Sequence, residues 1–180
     1  NGCLQRLRFC KLLITMEKRD SKILALQNKK IPPQAIDFEE GVLGALMIDK
    51  NATATAIEIL SPECFYKEKH QEIFQVLLEL FNDAEPIDLL TVSDKLRKNG
   101  KLNKCGGEVY LAELTQKVIS SAHIEHHSRI ILQKYIQRKL ISISSNLIND
   151  AFDETTDIIE LMDKAESEIF KVTEGSIKKN

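Results

Sequence analysis

Three histidines fall within five residues, His123, His126 and His127, with Glu125 among them. On a helix, His123 and His127 stand one turn apart, a spacing that places two imidazoles on one face as in a hydrolytic zinc site. A catalytic zinc also needs a third protein ligand and a dry pocket. Here the cluster opens a long helix in reach of water, so a solvated helix start is the better reading. His70 follows Phe65-Tyr66 and precedes an apolar helical face. To act as a base it would need a nucleophile and an orienting group, and no Ser, Cys or Lys stands in that relation to it. A packed helix residue is preferred. The run Leu96-Arg97-Lys98-Asn99-Gly100-Lys101 could close a DNA-recognition helix, yet cations at a helix C-terminus are also favoured by the dipole, and the second reading is simpler. No G-x-x-x-x-G-K-[ST] phosphate cradle is present, because Gly100-Lys101, the nearest approach, lacks the glycine five positions earlier. No catalytic, cofactor or metal site is therefore assigned.

What remains is a chain built for packing. Its 180 residues suffice for one ordinary domain with a helical appendage. A hydrophobic content of 43% and a charged content of 29% place it in the soluble globular range, with no apolar run near membrane-spanning length. Residues 1–30 carry eight Lys/Arg against two acids, while residues 31–180 carry seventeen against twenty-five, leaving the main body eight charges negative. A net acidic body argues against an independent grip on nucleic acid. Cys3, Cys10, Cys64 and Cys105 form no CxxC pair, which excludes a zinc knuckle or disulfide framework and points to a reducing, cytoplasmic setting. Residues 1–30 read as a disordered basic arm, and 1–15 as upstream sequence, since Met16 opens the charged stretch MEKRDSK.

All four prolines lie at or before Pro86, so beyond it nothing forbids long helices and the fold class reads all-α. Residues 31–118 are expected to form a globular head of about six short helices. Asp37 and Glu40 form a candidate capping box, with Val42, Leu43, Leu46 and Met47 as the buried stripe. Asn51 would cap a helix ended by Ser61-Pro62, and Ile73, Phe74, Leu77, Leu78 and Phe81 mark the core face of the next. Asp88 and Gly100 bracket another. Val109, Leu111 and Leu114 follow as core positions. After Ser120, residues 121–151 run without Pro or Gly and predict a helix about 45 Å long. Leu132, Ile136, Leu140, Ile143 and Leu147 form one stripe; Ile131, Ile141 and Ile148 begin a second. Past a turn at Asp153–Thr156, Asp157 and Glu160 repeat the capping pattern, and Ile158, Met162, Ala165, Ile169 and Val172 take a/d spacing. Residues 119–174 thus read as a long antiparallel helical hairpin. Its surplus stripe requires a second copy, giving a homodimer or a ring built from such pairs.

Five segments in order resemble the amino-terminal domain of the DnaB-type bacterial replicative DNA helicase: Ile36–Met47; Phe65-Tyr66 with His70 and Ile73-Phe74; Pro86–Val92 with Leu96 and Gly100; Gly106-Gly107 with Tyr110-Leu111 and Leu114; and Asp163–Phe170. The resemblance covers residues 31–174. It implies hairpins pairing into a trimer-of-dimers collar above RecA-like motor domains, with primase docking on the collar and a helicase loader engaging the hexamer. Positions resembling the primase-facing ones are Ile141, Leu147 and Leu161, with ordinary hairpin core as the equal alternative for all three; subunit-interface candidates are Ile131, Ile141, Ile148, Met162 and Ile169. Residues 175–180 would begin the linker to a motor that supplies the ATP, Mg²⁺ and DNA sites, so these 180 residues are expected neither to hydrolyse ATP nor to unwind DNA. The competing readings are a free-standing helical adaptor, a nucleic-acid-binding protein and, more remotely, a metal-dependent hydrolase. A reading frame continuing past Asn180 into a phosphate cradle separates the first reading from these.

Overall fold

The computed structural model describes residues 31–117 and 123–177, with side chains described as far as Glu174. The expected basic arm, the boundary near 118 and the last linker residues lie outside the described set. Residues from Pro33 onward form one unit. In chain order it contains α1 (Ile36–Leu46), α2 (Lys50–Ile59), a 3-10 turn (Pro62–Cys64), α3 (Glu68–Asn82), α4 (Leu89–Lys98), α5 (Gly107–Gln116), α6 (Ile124–Phe152) and α7 (Ile158–Ile177). Among the described residues there is no strand, and the architecture is all-helical as the sequence implied.

Helix α1 is the hub, packing against α2, α3, α5 and α6. Val42, Leu43, Ala45 and Leu46 are buried on it, and the core extends through Phe65, Ile73, Phe74, Leu77, Leu96, Leu111 and Leu114. Local signals act where expected at α4. The Asp88 carboxylate accepts from the Leu90 and Thr91 amides at 2.9 Å, and the Thr91 hydroxyl accepts from the Asp88 amide at 3.0 Å. Gly100, at φ +68°, ends the helix in the left-handed region that glycine tolerates. Elsewhere the structure corrects the reading. Asp49, not Asn51, caps α2 by accepting from the Asn51 amide. Asp37 and Glu40 make no capping box, since α1 begins at Ile36 and Ala35 lends no side-chain cap. On α3 the buried positions are Val76 and Leu80 rather than Leu78 and Phe81, and Val109 is 73% exposed.

Helix α6 has two lives. Its first turns belong to the head, where Ile124, Ile131 and Leu132 join the core and Ser128 is wholly enclosed. Arg138 marks the exit: its guanidinium donates to the carbonyls of Pro33 (2.9 Å) and Cys64 (2.6 Å), flanked by the Tyr66 and Tyr135 rings. Beyond it, only Ile143 is buried, and α6 pairs with α7. The Ser128 hydroxyl has no hydrogen-bond partner among the described residues. Its small volume permits close helix packing, while its unmet donor carries a desolvation cost. Ser128→Ala is therefore expected to leave stability unchanged or raise it by up to about 1 kcal/mol, read from urea unfolding. A loss above that size would show a partner for the hydroxyl.

Candidate functional site: the hairpin and a buried network in the head

The hairpin turn is local chemistry. The Asp153 carboxylate accepts from the Thr155 amide and hydroxyl, and Asp157 caps α7 by accepting from the Ile159 amide at 2.7 Å. Lys164 then ties α7 to Asp150 of α6 at 2.6 Å. Within α7 the least exposed positions are Leu161, Ala165, Glu168 and Val172, spaced four, three and four apart, so this stripe faces α6. The expected a/d set is thus rotated. Ala165 and Val172 face the seam, whereas Ile158 (65% exposed), Met162 (67%) and Ile169 (51%) face out, joined by Ile159 and Phe170.

On α6, Ile141 is 51% exposed. It shares a helix side with half-buried Ile148 and exposed Phe152, opposite the seam residue Ile143. Leu147 and Leu161 are half-buried. Ile131, expected at a subunit interface, is a correction: it is fully enclosed in the head, because α6 is still packed on the globule at that depth. Sequence reasoning missed Phe152, Ile159 and Phe170, which lie off the a/d register. Their only signal was that apolar residues outnumber the positions of a single seam.

The head holds a polar network that sequence reasoning also missed. Glu39 and His70 are 1% and 0% exposed. The Glu39 carboxylate takes the Tyr66 amide at 2.8 Å and lies 2.6 Å from His70 Nδ1, while His70 Nε2 lies 2.7 Å from the Tyr110 hydroxyl. Tyr110 donates to Glu40 at 3.2 Å, and Glu40 also accepts from Lys67 (3.3 Å) and Lys117 (2.6 Å). His70 is thus a satisfied buried residue, with no nucleophile beside it. Burial opposes ionisation of Glu40, but the hydrogen bonds from Lys117, Lys67 and Tyr110 outweigh it and hold its pKa at about 2, below the usual 4.5. Burial and the Glu40 carboxylate push the Tyr110 phenol upward, so it stays protonated.

A carboxylate depressed in the folded state stabilises fully above its unfolded pKa and loses that contribution as pH falls through the folded value. Glu40→Gln is therefore expected to cost roughly 2–3 kcal/mol at neutral pH, allowing for water around the lysines. The gap from the parent should close between pH 4.5 and 2. A pH-independent gap in urea unfolding would contradict this assignment.

His123–His127 and His126–His127 ring centroids lie 6.3 and 6.2 Å apart, and His127 packs edge-on to Phe38. Among the described residues no group of three or more His, Cys, Asp or Glu could hold a metal ion. Burial and the two neighbouring histidines lower the His127 pKa. The cations after Leu96 are engaged: Arg97 with Asp94 and Glu108, Lys98 with Asp94, and Lys101 with Glu72 at 2.7 Å. That leaves little for phosphates. Gly100 also sits at a helix C-terminus, where carbonyls rather than amides point outward, so Gly100-Lys101 does not fit a triphosphate. Cys64 and Cys105 are buried free thiols. No described helix is long and apolar enough to cross a membrane.

A family model described as the DnaB-like helicase N-terminal domain matches residues 31–133. This chain belongs to that family. The DnaB-type resemblance read from five motifs in register is thereby confirmed. The domain is 42% identical over 153 residues to the replicative DNA helicase DnaB of Rhodothermus marinus, covering 85% of this chain and 16% of that protein. It is 38% identical over 149 residues to that of Geobacillus stearothermophilus, covering 83% of this chain and 33% of that one. The chain thus spans a third or less of these relatives. The crystal structure of the N-terminal domain of DnaB helicase from Mycobacterium tuberculosis matches with a TM-score of 0.74 and 31% identity, covering 79% of this chain and 99% of that one. A DnaB-like replicative helicase whose structure was described with its interactions with primase matches with a TM-score of 0.64 and 25% identity, covering 77% of this chain and 31% of that one. In this DnaB-type domain, the family-model match covers the head and the first turns of α6, and most of the hairpin lies beyond it.

Proposed function

We propose that this domain is the assembly and primase-docking module of a replicative DNA helicase. The observation that carries the reading is the uncovered apolar surface of the hairpin, on two separate sides. One is the Ile141–Ile148–Phe152 side of α6; the other is the outer face of α7 with Ile158, Met162, Ile169 and Phe170. Two faces suit two partners. A lone chain leaves both in water, and each Ile, Met or Phe buried by a partner contributes roughly 1.5–3 kcal/mol before ordering costs.

The α7 face, with Met162 and Ile169, is assigned to a second copy, and Ile141 to primase, with half-buried Leu147 and Leu161 supporting it from the seam. Ile148 borders both roles. The hairpin spanning 119–174 is the association element, and six chains assemble as a trimer of dimers. In the longer protein, a RecA-like motor beyond these residues binds ATP, Mg²⁺ and DNA and performs ATP-dependent unwinding, a loader engages the hexamer, and the setting is cytoplasmic. The likeness to replicative helicases, one of them described with primase, supports this reading. Light scattering of the domain mixed with its cognate primase tests it. A stoichiometric complex should form, and Ile141→Lys should abolish it while leaving self-association intact. No complex, or one indifferent to Ile141→Lys, refutes the docking assignment.

A further inference from the structure

A cleft of about 530 Å³ opens at the base of the hairpin, between the 3-10 turn, α6 and α7. It is distinct from the two apolar faces above, lying along the side of the seam that bears Lys139 and Lys171. From α6 it receives Lys139, Ser142 and Asn146, whose i, i+3, i+7 spacing puts them on one helix side. None of these three side chains makes a hydrogen bond or ion pair to another described residue; Lys139 stands 5.5 Å from the Tyr135 ring and near enough to Glu168 to favour its ionised form. Its apolar lining comes from Leu132, Ile136, Ile143 and Val172. Three uncommitted polar groups converging on an apolar lining, in a volume typical of ligand sites, are the usual marks of a binding site.

The charge selects the occupant. Lys171 is held by Glu168 at 2.6 Å, and with Lys139 also facing that one carboxylate the lining carries a single positive charge in excess. One ammonium group matches one carboxylate. A polyphosphate carries more negative charge than that single excess can neutralise. A cationic segment would face Lys139 and gain only a carboxylate already neutralised. We propose that this cleft docks a short acidic, apolar peptide segment of a partner protein, with a bulky aliphatic or aromatic side chain on the apolar lining and a neighbouring carboxylate on Lys139, Ser142 and Asn146.

The test uses the full 180-residue chain and two labelled synthetic peptides, one with a Leu-Phe pair flanked by aspartates and one with lysines in their place. Fluorescence anisotropy should show saturable binding of the acidic peptide below about 1 mM and at least tenfold weaker binding of the basic one. Amide chemical shifts should move at Ser61, Ser142, Asn146 and Glu168 but not along Ile158–Met162. Lys139→Glu, which reverses the charge, and Ser142→Trp, which fills the cleft, should each weaken binding at least tenfold. Ile141→Lys should leave it unchanged, and circular dichroism should confirm that all variants fold. Equal binding of the two peptides, binding retained in both cleft variants, shifts confined to the outer faces, or no binding at 1 mM would each overturn the proposal. Primase docking and self-association are read separately, so either can stand or fall without it.

Discussion

Replacing His70 with alanine is expected to lower the unfolding free energy by roughly 3–5 kcal/mol, because it strands buried hydrogen-bonding partners and empties a packed site. The imidazole is fully enclosed between Glu39 at 2.6 Å and Tyr110 at 2.7 Å. Its loss leaves a carboxylate that is 1% exposed with only the Tyr66 amide, and a phenol with only Glu40. The Glu39 carboxylate cannot turn to water without opening the packing around it, so its desolvation cost is not recovered. Lys67→Ala is the contrast. Its ammonium reaches Glu40 at 3.3 Å from a side chain 34% exposed, and Glu40 keeps Lys117 and Tyr110, so a loss of at most about 1 kcal/mol is expected. Equal losses for the two variants in urea unfolding would mean that the enclosed Glu39–His70–Tyr110 contacts contribute no more than a surface pair.

The second large effect is on association. Met162→Glu combined with Ile169→Glu should raise the self-dissociation constant at least about 100-fold, because two side chains each worth roughly 1.5–3 kcal/mol on burial are replaced by charges. Both positions face water in the single chain, so the melting temperature at low protein concentration should hardly move. The same acids facing each other across a two-fold interface add repulsion. Sedimentation velocity with unchanged circular dichroism is the readout. Unaltered association would place the subunit interface elsewhere.

Helix ends and helix lengths were legible where the chemistry is local. Asp88 and Gly100 act on their own turns, and the absence of Pro and Gly across α6 leaves it uninterrupted for 29 residues. The same letters misled where a side chain serves a distant partner. Asp37 and Glu40 have capping-box spacing, but Glu40 is used by Lys117, seventy-seven residues away, and a window of one helix cannot reveal that. Periodicity located the apolar stripes without saying what covers each. Ile131 and Ile141 belong to the same expected second stripe, yet the head encloses one and leaves the other half exposed, because Arg138 fixes the point where α6 leaves the globule. On α7, the a/d pattern gave the right helix with the wrong rotation. Its apolar arc is wider than one seam, and the contact with α6 takes the edge containing Leu161 and Ala165. Five motifs in register identified the family because they mix core and turn positions from head and hairpin.

The hairpin carries more apolar surface than one chain covers. Sedimentation equilibrium of the domain at micromolar concentration measures this most directly. A dimer or a larger assembly of dimers is predicted, shifted toward monomer by Met162→Glu with Ile169→Glu. A species that stays monomeric at tens of micromolar would contradict it.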